Sequence, residues 1–92
     1  MNFSHIDPTV RAWATNNRLH LSTQYKDAEV RSFELVGPAG HAQIWIEVEG
    51  DATTVYVWDY RKQKRCFAAD SSTLEAVLDQ ALQVARGWCG NP

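Results

Sequence analysis

Along residues 42–49, Ile44, Ile46 and Val48 alternate with Gln43, Trp45, Glu47 and Glu49. Residues 53–60 repeat the pattern, with Val55 and Val57 set against Thr54, Tyr56, Trp58 and Tyr60. Side chains of a strand point to opposite faces in turn. The pattern therefore predicts two strands with one aliphatic face and one face of large aromatics among carboxylates and threonines. Gly50-Asp51 between them is a two-residue hairpin signal. That loop pairs Ile46 with Val55, Ile44 with Val57, Trp45 with Tyr56 and Gln43 with Trp58. A four-residue loop keeps the same segregation, whereas a simple three-residue loop would mix the faces.

The flanking elements follow from similar signals. Residues 29–36 read as a strand, and Gly37-Pro38-Ala39-Gly40 as the turn after it. With that tetrapeptide as the loop, Leu35 faces Ala42 and Phe33 faces Ile44. Val30, Ser32 and Glu34 then join the aromatic face, and Arg31 lies towards the core face with its stem buried and its head in water. Asp7-Pro8 predicts a helix start, with Asp7 as N-cap and Pro8 in the first turn. Val10, Trp13 and Ala14 form its apolar stripe, and Asn16-Asn17 is a candidate left-handed stop. Ser72 with Glu75 forms a capping-box pattern. Leu74, Val77, Leu78, Ala81, Leu82, Ala85 and Trp88 then recur at helical spacing. The predicted fold is α+β: helix, three-stranded antiparallel sheet, helix, in one domain over residues 1–92, with two helices packed on one face of the sheet.

Ninety-two residues bury about 60–65% of the unfolded chain's surface, enough for two layers around one core. No apolar run approaches the roughly 18 residues that a membrane helix needs. Met1-Asn2-Phe3-Ser4-His5 has neither a basic region nor an apolar stretch, so no secretory signal is visible and a cytoplasmic location is the expectation. Cys66 and Cys89 are accordingly expected as free thiols.

Of nine basic residues, four fall in Arg61-Lys62-Gln63-Lys64-Arg65; the net charge is −2. The rest of the chain holds five basic and eleven acidic residues, a balance of −6. That distribution argues against a surface that tracks nucleic acid throughout. Arg61, Lys62, Lys64 and Arg65 form a candidate anion-binding stretch; the plainer reading is a solvated strand end that discourages sheet aggregation. His5, His20, His41, Cys66 and Cys89 show no short paired spacing of the kind zinc sites use. No activating motif surrounds Cys66 as a nucleophile, and no glycine loop cradles a phosphate. The expectation is a non-enzymatic protein without metal or cofactor.

The order helix–three strands–helix resembles that of double-stranded-RNA-binding domains, and Gly37-Pro38 with His41 is similar to the loop they place in the minor groove. The resemblance implies a nucleic-acid-binding module using His41 and the basic stretch. The chain departs from that family at the start of the last helix. There Ser71-Ser72-Thr73-Leu74-Glu75 stands in place of a phosphate-holding lysine cluster, and Gly40 displaces His41. Trp45, Tyr56, Trp58 and Tyr60 carry the other reading, a protein-binding surface. Soluble monomers seldom expose large contiguous apolar areas, and a second copy of the chain is the commonest partner. Glu34, Glu47 and Glu49 among those aromatics oppose a stacking platform for nucleic acid. The principal expectation is a small adaptor- or inhibitor-like protein-interaction module, self-associating or not, with nucleic-acid binding as the alternative.

Overall fold

The alternation in the two central strands sets the architecture. A computed structural model describes residues 2–90. Its elements are α1 (Asp7–Asn16), β1 (Ser22–Tyr25), β2 (Ala28–Gly37), β3 (Gly40–Glu49), β4 (Ala52–Trp58), β5 (Lys64–Ala69) and α2 (Leu74–Cys89). The strands form one antiparallel sheet in chain order, β1 to β5. The register matches the Gly50-Asp51 turn, with Ile46 opposite Val55, Ile44 opposite Val57, Trp45 opposite Tyr56 and Gln43 opposite Trp58. Leu35 faces Ala42 and Phe33 faces Ile44, as the four-residue turn predicts.

The three-stranded expectation is corrected: the sheet has five strands. Both additional strands are edges that lack an alternating apolar pattern. β1 reads Ser-Thr-Gln-Tyr and meets β2 with an irregular register between Ser22 and Gln24. β5 begins inside the basic stretch, and only Phe67 and Ala69 of its residues are shielded in part. Edge strands need little apolar burial on either face, because the neighbouring ladder supplies their hydrogen bonds.

α2 presents Leu74, Val77, Leu78, Ala81, Leu82, Ala85 and Cys89, all buried, to the aliphatic face of β2, β3 and β4. α1 packs beside α2 and closes the core through Val10, Trp13 and Ala14. The Trp13 ring meets Phe33 edge-on at 5.2 Å, and its indole N–H donates to Asp79 at 2.8 Å. Both helices thus lie on one side of the sheet.

The helix ends differ from the sequence patterns. Ahead of α2 the reciprocal cap is Asp70 with Thr73, not Ser72 with Glu75. The Asp70 N–H donates to the Thr73 hydroxyl at 2.9 Å, and the Thr73 N–H to the Asp70 carboxylate at 3.0 Å. Asp70 wins because its carboxylate also receives the Ser72 N–H and hydroxyl. After α1 the left-handed residue is Arg18 (φ 56°) rather than Asn17. The bonds Arg18 N–H to Thr15 O and Leu19 N–H to Ala14 O complete a Schellman closure. α2 ends on Gly90 (φ 78°), where an added Cβ would lie 3.0 Å from Ala39 Cβ; Ala39 N–H bonds Cys89 O at 2.9 Å. Glycine is required there twice, for the dihedral and for the close approach.

Asp7 is not the N-cap of α1. Ile6 occupies that place with no side-chain cap, and the Asp7 carboxylate turns to Arg31 instead. Arg31 Nε and Nη2 reach its two oxygens at 2.7 and 3.0 Å, Nη2 also reaches Glu29 at 2.9 Å, and the guanidinium stacks 4.5 Å over Phe3. The expectation of a solvated head is therefore corrected: Arg31 is 4% exposed. Burying that cation is tolerable only with its anions in place.

Asp7→Asn leaves Arg31 with Glu29 as its remaining anionic partner. The variant should lose roughly 2–3 kcal/mol in denaturant melts at neutral pH, below the 3–5 kcal/mol of a fully buried pair, because Asp7 itself is partly solvated. The hydrogen bonds from Arg31 hold the Asp7 carboxyl below its ordinary value. The contribution is thus present above the unfolded carboxylate pKa and is lost as pH falls through the lower folded one. The gap between wild type and variant should close in acid below about pH 4. A constant gap across that range would contradict the pairing.

Candidate functional site: the open face of the sheet

Parity places Ser32 and Glu34 of β2, Gln43, Trp45 and Glu47 of β3, and Thr54, Tyr56 and Trp58 of β4 on the side away from the helices. β5 adds Lys64, Cys66 and Ala68, which pair with Trp58, Tyr56 and Thr54. Trp45, Tyr56 and Trp58 are half-buried by their neighbours, and Tyr60 is 39% exposed. The four aromatics predicted from the sequence do share one face.

They form two pairs. The Trp45 and Tyr56 rings stack at 4.8 Å with 9° between their planes. Lys64 Nζ caps that stack, 5.3 Å from one ring centre and 5.2 Å from the other. Trp58 and Tyr60 lie 4.6 Å apart and tilted by 42°. Tyr60 has a left-handed backbone (φ 65°), uncommon for an aromatic residue. Its hydroxyl donates to the Glu34 carboxylate on β2, reaching across β3. Gln43 Nε2 donates to the same carboxylate at 3.1 Å, and the Trp45 indole N–H to Glu47 at 3.3 Å. Nearby Glu47 raises the Tyr56 phenol, the close negative charge opposing its ionisation.

Between these aromatics and β1 runs a half-open groove of about 580 Å³. Tyr25, 64% exposed, stands at its β1 side; Ser32 lies in it, and Glu34 and Glu47 supply carboxylates, whereas the Glu29 carboxylate is held by Arg31. The groove half of the face is anionic, and Lys64 sits on the opposite half.

The four basic residues do not converge. Arg61 and Lys62 lie in the loop between β4 and β5, organised by Asp59, whose carboxylate accepts the Arg61 and Gln63 N–H groups at 2.8 and 3.0 Å. Lys64 joins the open face. Arg65 pairs with Val57 on the helix side, its guanidinium 5.0 Å over Phe67. Lys64 was legible as a basic residue but not as a member of the aromatic face. Alternation through Arg65, Phe67 and Ala69 is the only signal that places it there. Cys66 is an exposed thiol on the same face, and Cys89 a buried one whose Sγ lies 3.8 Å from Leu35 O.

Among the described residues no helix is long and apolar enough to cross a membrane. Comparison of the chain with protein-family models, with curated proteins and with solved structures finds no match.

Burial and the hydrogen bond to Glu34 push the Tyr60 phenol far above the usual tyrosine range. A raised folded pKa means this contact stabilises the fold below the unfolded tyrosine pKa, near 10, and ceases to do so as pH rises through the folded value. In a spectrophotometric titration Tyr60 should ionise last, a step that Tyr60→Phe removes and Glu34→Gln moves to lower pH. An unchanged profile in Glu34→Gln would contradict the bond.

Proposed function

We propose that this protein is a small non-enzymatic interaction module that binds a polypeptide partner through the open face of its sheet. One observation carries the reading: both helices lie on the aliphatic side, while Trp45, Trp58 and Tyr60 border an uncovered groove and Tyr56 stacks on Trp45 beside it. Tryptophan and tyrosine dominate the energetics of protein interfaces because they bury a large rigid area and keep one polar group to orient it. The face offers such groups in the Trp58 indole and in the Glu34 and Glu47 carboxylates.

The alternative, a nucleic-acid-binding module, draws its support from Lys64 beside two stacked rings. Less favours it. Phosphates approaching that face would meet Glu34 and Glu47, and the four cations that should hold them point to different surfaces. The five-stranded sheet also departs from the helix–three strands–helix order on which the resemblance to double-stranded-RNA-binding domains rests.

A photo-crosslinking residue at position 58, activated in native lysate, separates the readings. The expected products are polypeptide adducts that survive nuclease and vanish when the crosslinker stands at exposed Ala12 on α1. Adducts removed by nuclease would favour the alternative, and none at position 58 would oppose both. Trp45→Ala and Trp58→Ala should reduce the adducts formed from a neighbouring position while shifting the melting transition little.

A further inference from the structure

We propose that the partner on the open face is a second copy of this chain, related by a two-fold axis parallel to the strands and lying between β3 and β4. The inference rests on the polypeptide-binding reading and names its occupant.

The register lays the open face out in rows across the sheet. Glu34, Gln43, Trp58 and Lys64 occupy one row, and Ser32, Trp45, Tyr56 and Cys66 the next. Within a row the ends differ in character: Glu34 is a carboxylate at the groove, and Lys64 an ammonium on the far edge strand. Three strand spacings separate β2 from β5, about 14 Å, so these two charges cannot pair within one chain.

A half-turn about the proposed axis keeps each row and reverses the strand order. β5 of one protomer then lies on β2 of the other, and β3 on β4. Lys64 meets the partner's Glu34, and Trp45 meets the partner's Tyr56, each contact made twice by symmetry. The same motion carries Lys64 and Trp58 towards the partner's groove. An axis running across the strands has the opposite result. It reverses the rows and lays β5 on β5, so that Lys64 approaches the uncharged Ala68 of the partner subunit and Glu34 gains no cation. Charge complementarity therefore selects one orientation.

Twisted sheets pack with their strands about 30° apart. Roughly 7 Å from the axis, that angle displaces the rows by some 4 Å, within the reach of a lysine side chain. The four strands β2 to β5, with six or seven paired residues each, present roughly 400 Å² of overlapping face, so the dimer buries about 800 Å² in total. That is below the standard size of specific interfaces and implies a weak, concentration-dependent dimer rather than a permanent one.

The test uses sedimentation of the intact chain over a concentration series. Wild type should pass from monomer to dimer, and Lys64→Glu or Glu34→Lys alone should weaken the dimer about ten-fold or more, since each sets like charges opposite one another. An equimolar mixture of the two variants should regain the wild-type transition, because the mixed pair restores both opposite-charge contacts. The neutral variants Lys64→Gln and Glu34→Gln give a smaller loss and guard against a folding defect in the reversals. A wild type monomeric throughout, a mixture no tighter than its components with both variants folded, or neutral variants that associate like wild type would overturn the proposal. A monomeric wild type that still crosslinks a different polypeptide from position 58 would retain the interaction reading and remove only the second copy. Loss of both results would remove the reading as well.

Discussion

A shift of one residue between β3 and β4 would turn one strand over against the other and set Tyr56 and Trp58 beside Ile44 and Ile46 on the helix side. Neither helix would then find a continuous aliphatic surface to cover, since strand side chains change faces with every residue. The register of this one hairpin, closed at Gly50 with φ 61°, therefore decides two things at once. It builds the core against α2, and it leaves the aromatics together on the other side. Core and candidate site are not independent features of the fold.

The N-terminal half depends on that sheet in a different way. β2 is long enough to pass beneath α1 and to carry Arg31 next to Asp7. The resulting ion pair, closed over by Phe3 and joined by Glu29, ties the start of α1 to the β1 side of the sheet. Trp13, lodged between Phe33 and Asp79, ties its last turns to β2 and α2. α1 is thus held by a few specific contacts, whereas α2 is held by a continuous apolar stripe.

Much of this is legible in the chain. The central hairpin, its register, both helices and the shared face of Trp45, Tyr56 and Trp58 follow from periodicity alone, because a buried face on one side leaves parity little freedom; Tyr60, past the end of β4, reaches that face through its left-handed backbone. The two edge strands do not. β1 is four exposed or half-buried residues, and β5 starts at Lys64 in a run that charge marks as solvated; both are held largely by ladder hydrogen bonds, with only the brief alternation of Arg65, Phe67 and Ala69 to announce β5. Asp7 shows the same limit. Its position next to Pro8 suits an N-cap, but a buried guanidinium more than twenty residues away is a stronger attraction for its carboxylate. Lys64 belongs with β5 in this respect, since its face is defined only once the strand exists.

An open aromatic face leaves its tryptophans within reach of solvent, and a direct probe is the solvent accessibility of each tryptophan. Labelling the four tryptophans with fluorine and adding a neutral paramagnetic cosolute to a dilute sample reads all of them together. Strong relaxation is expected at Trp45 and Trp58 and little at Trp13, which is 3% exposed. Trp45 and Trp58 as protected as Trp13 at the lowest concentration measured would contradict an open face.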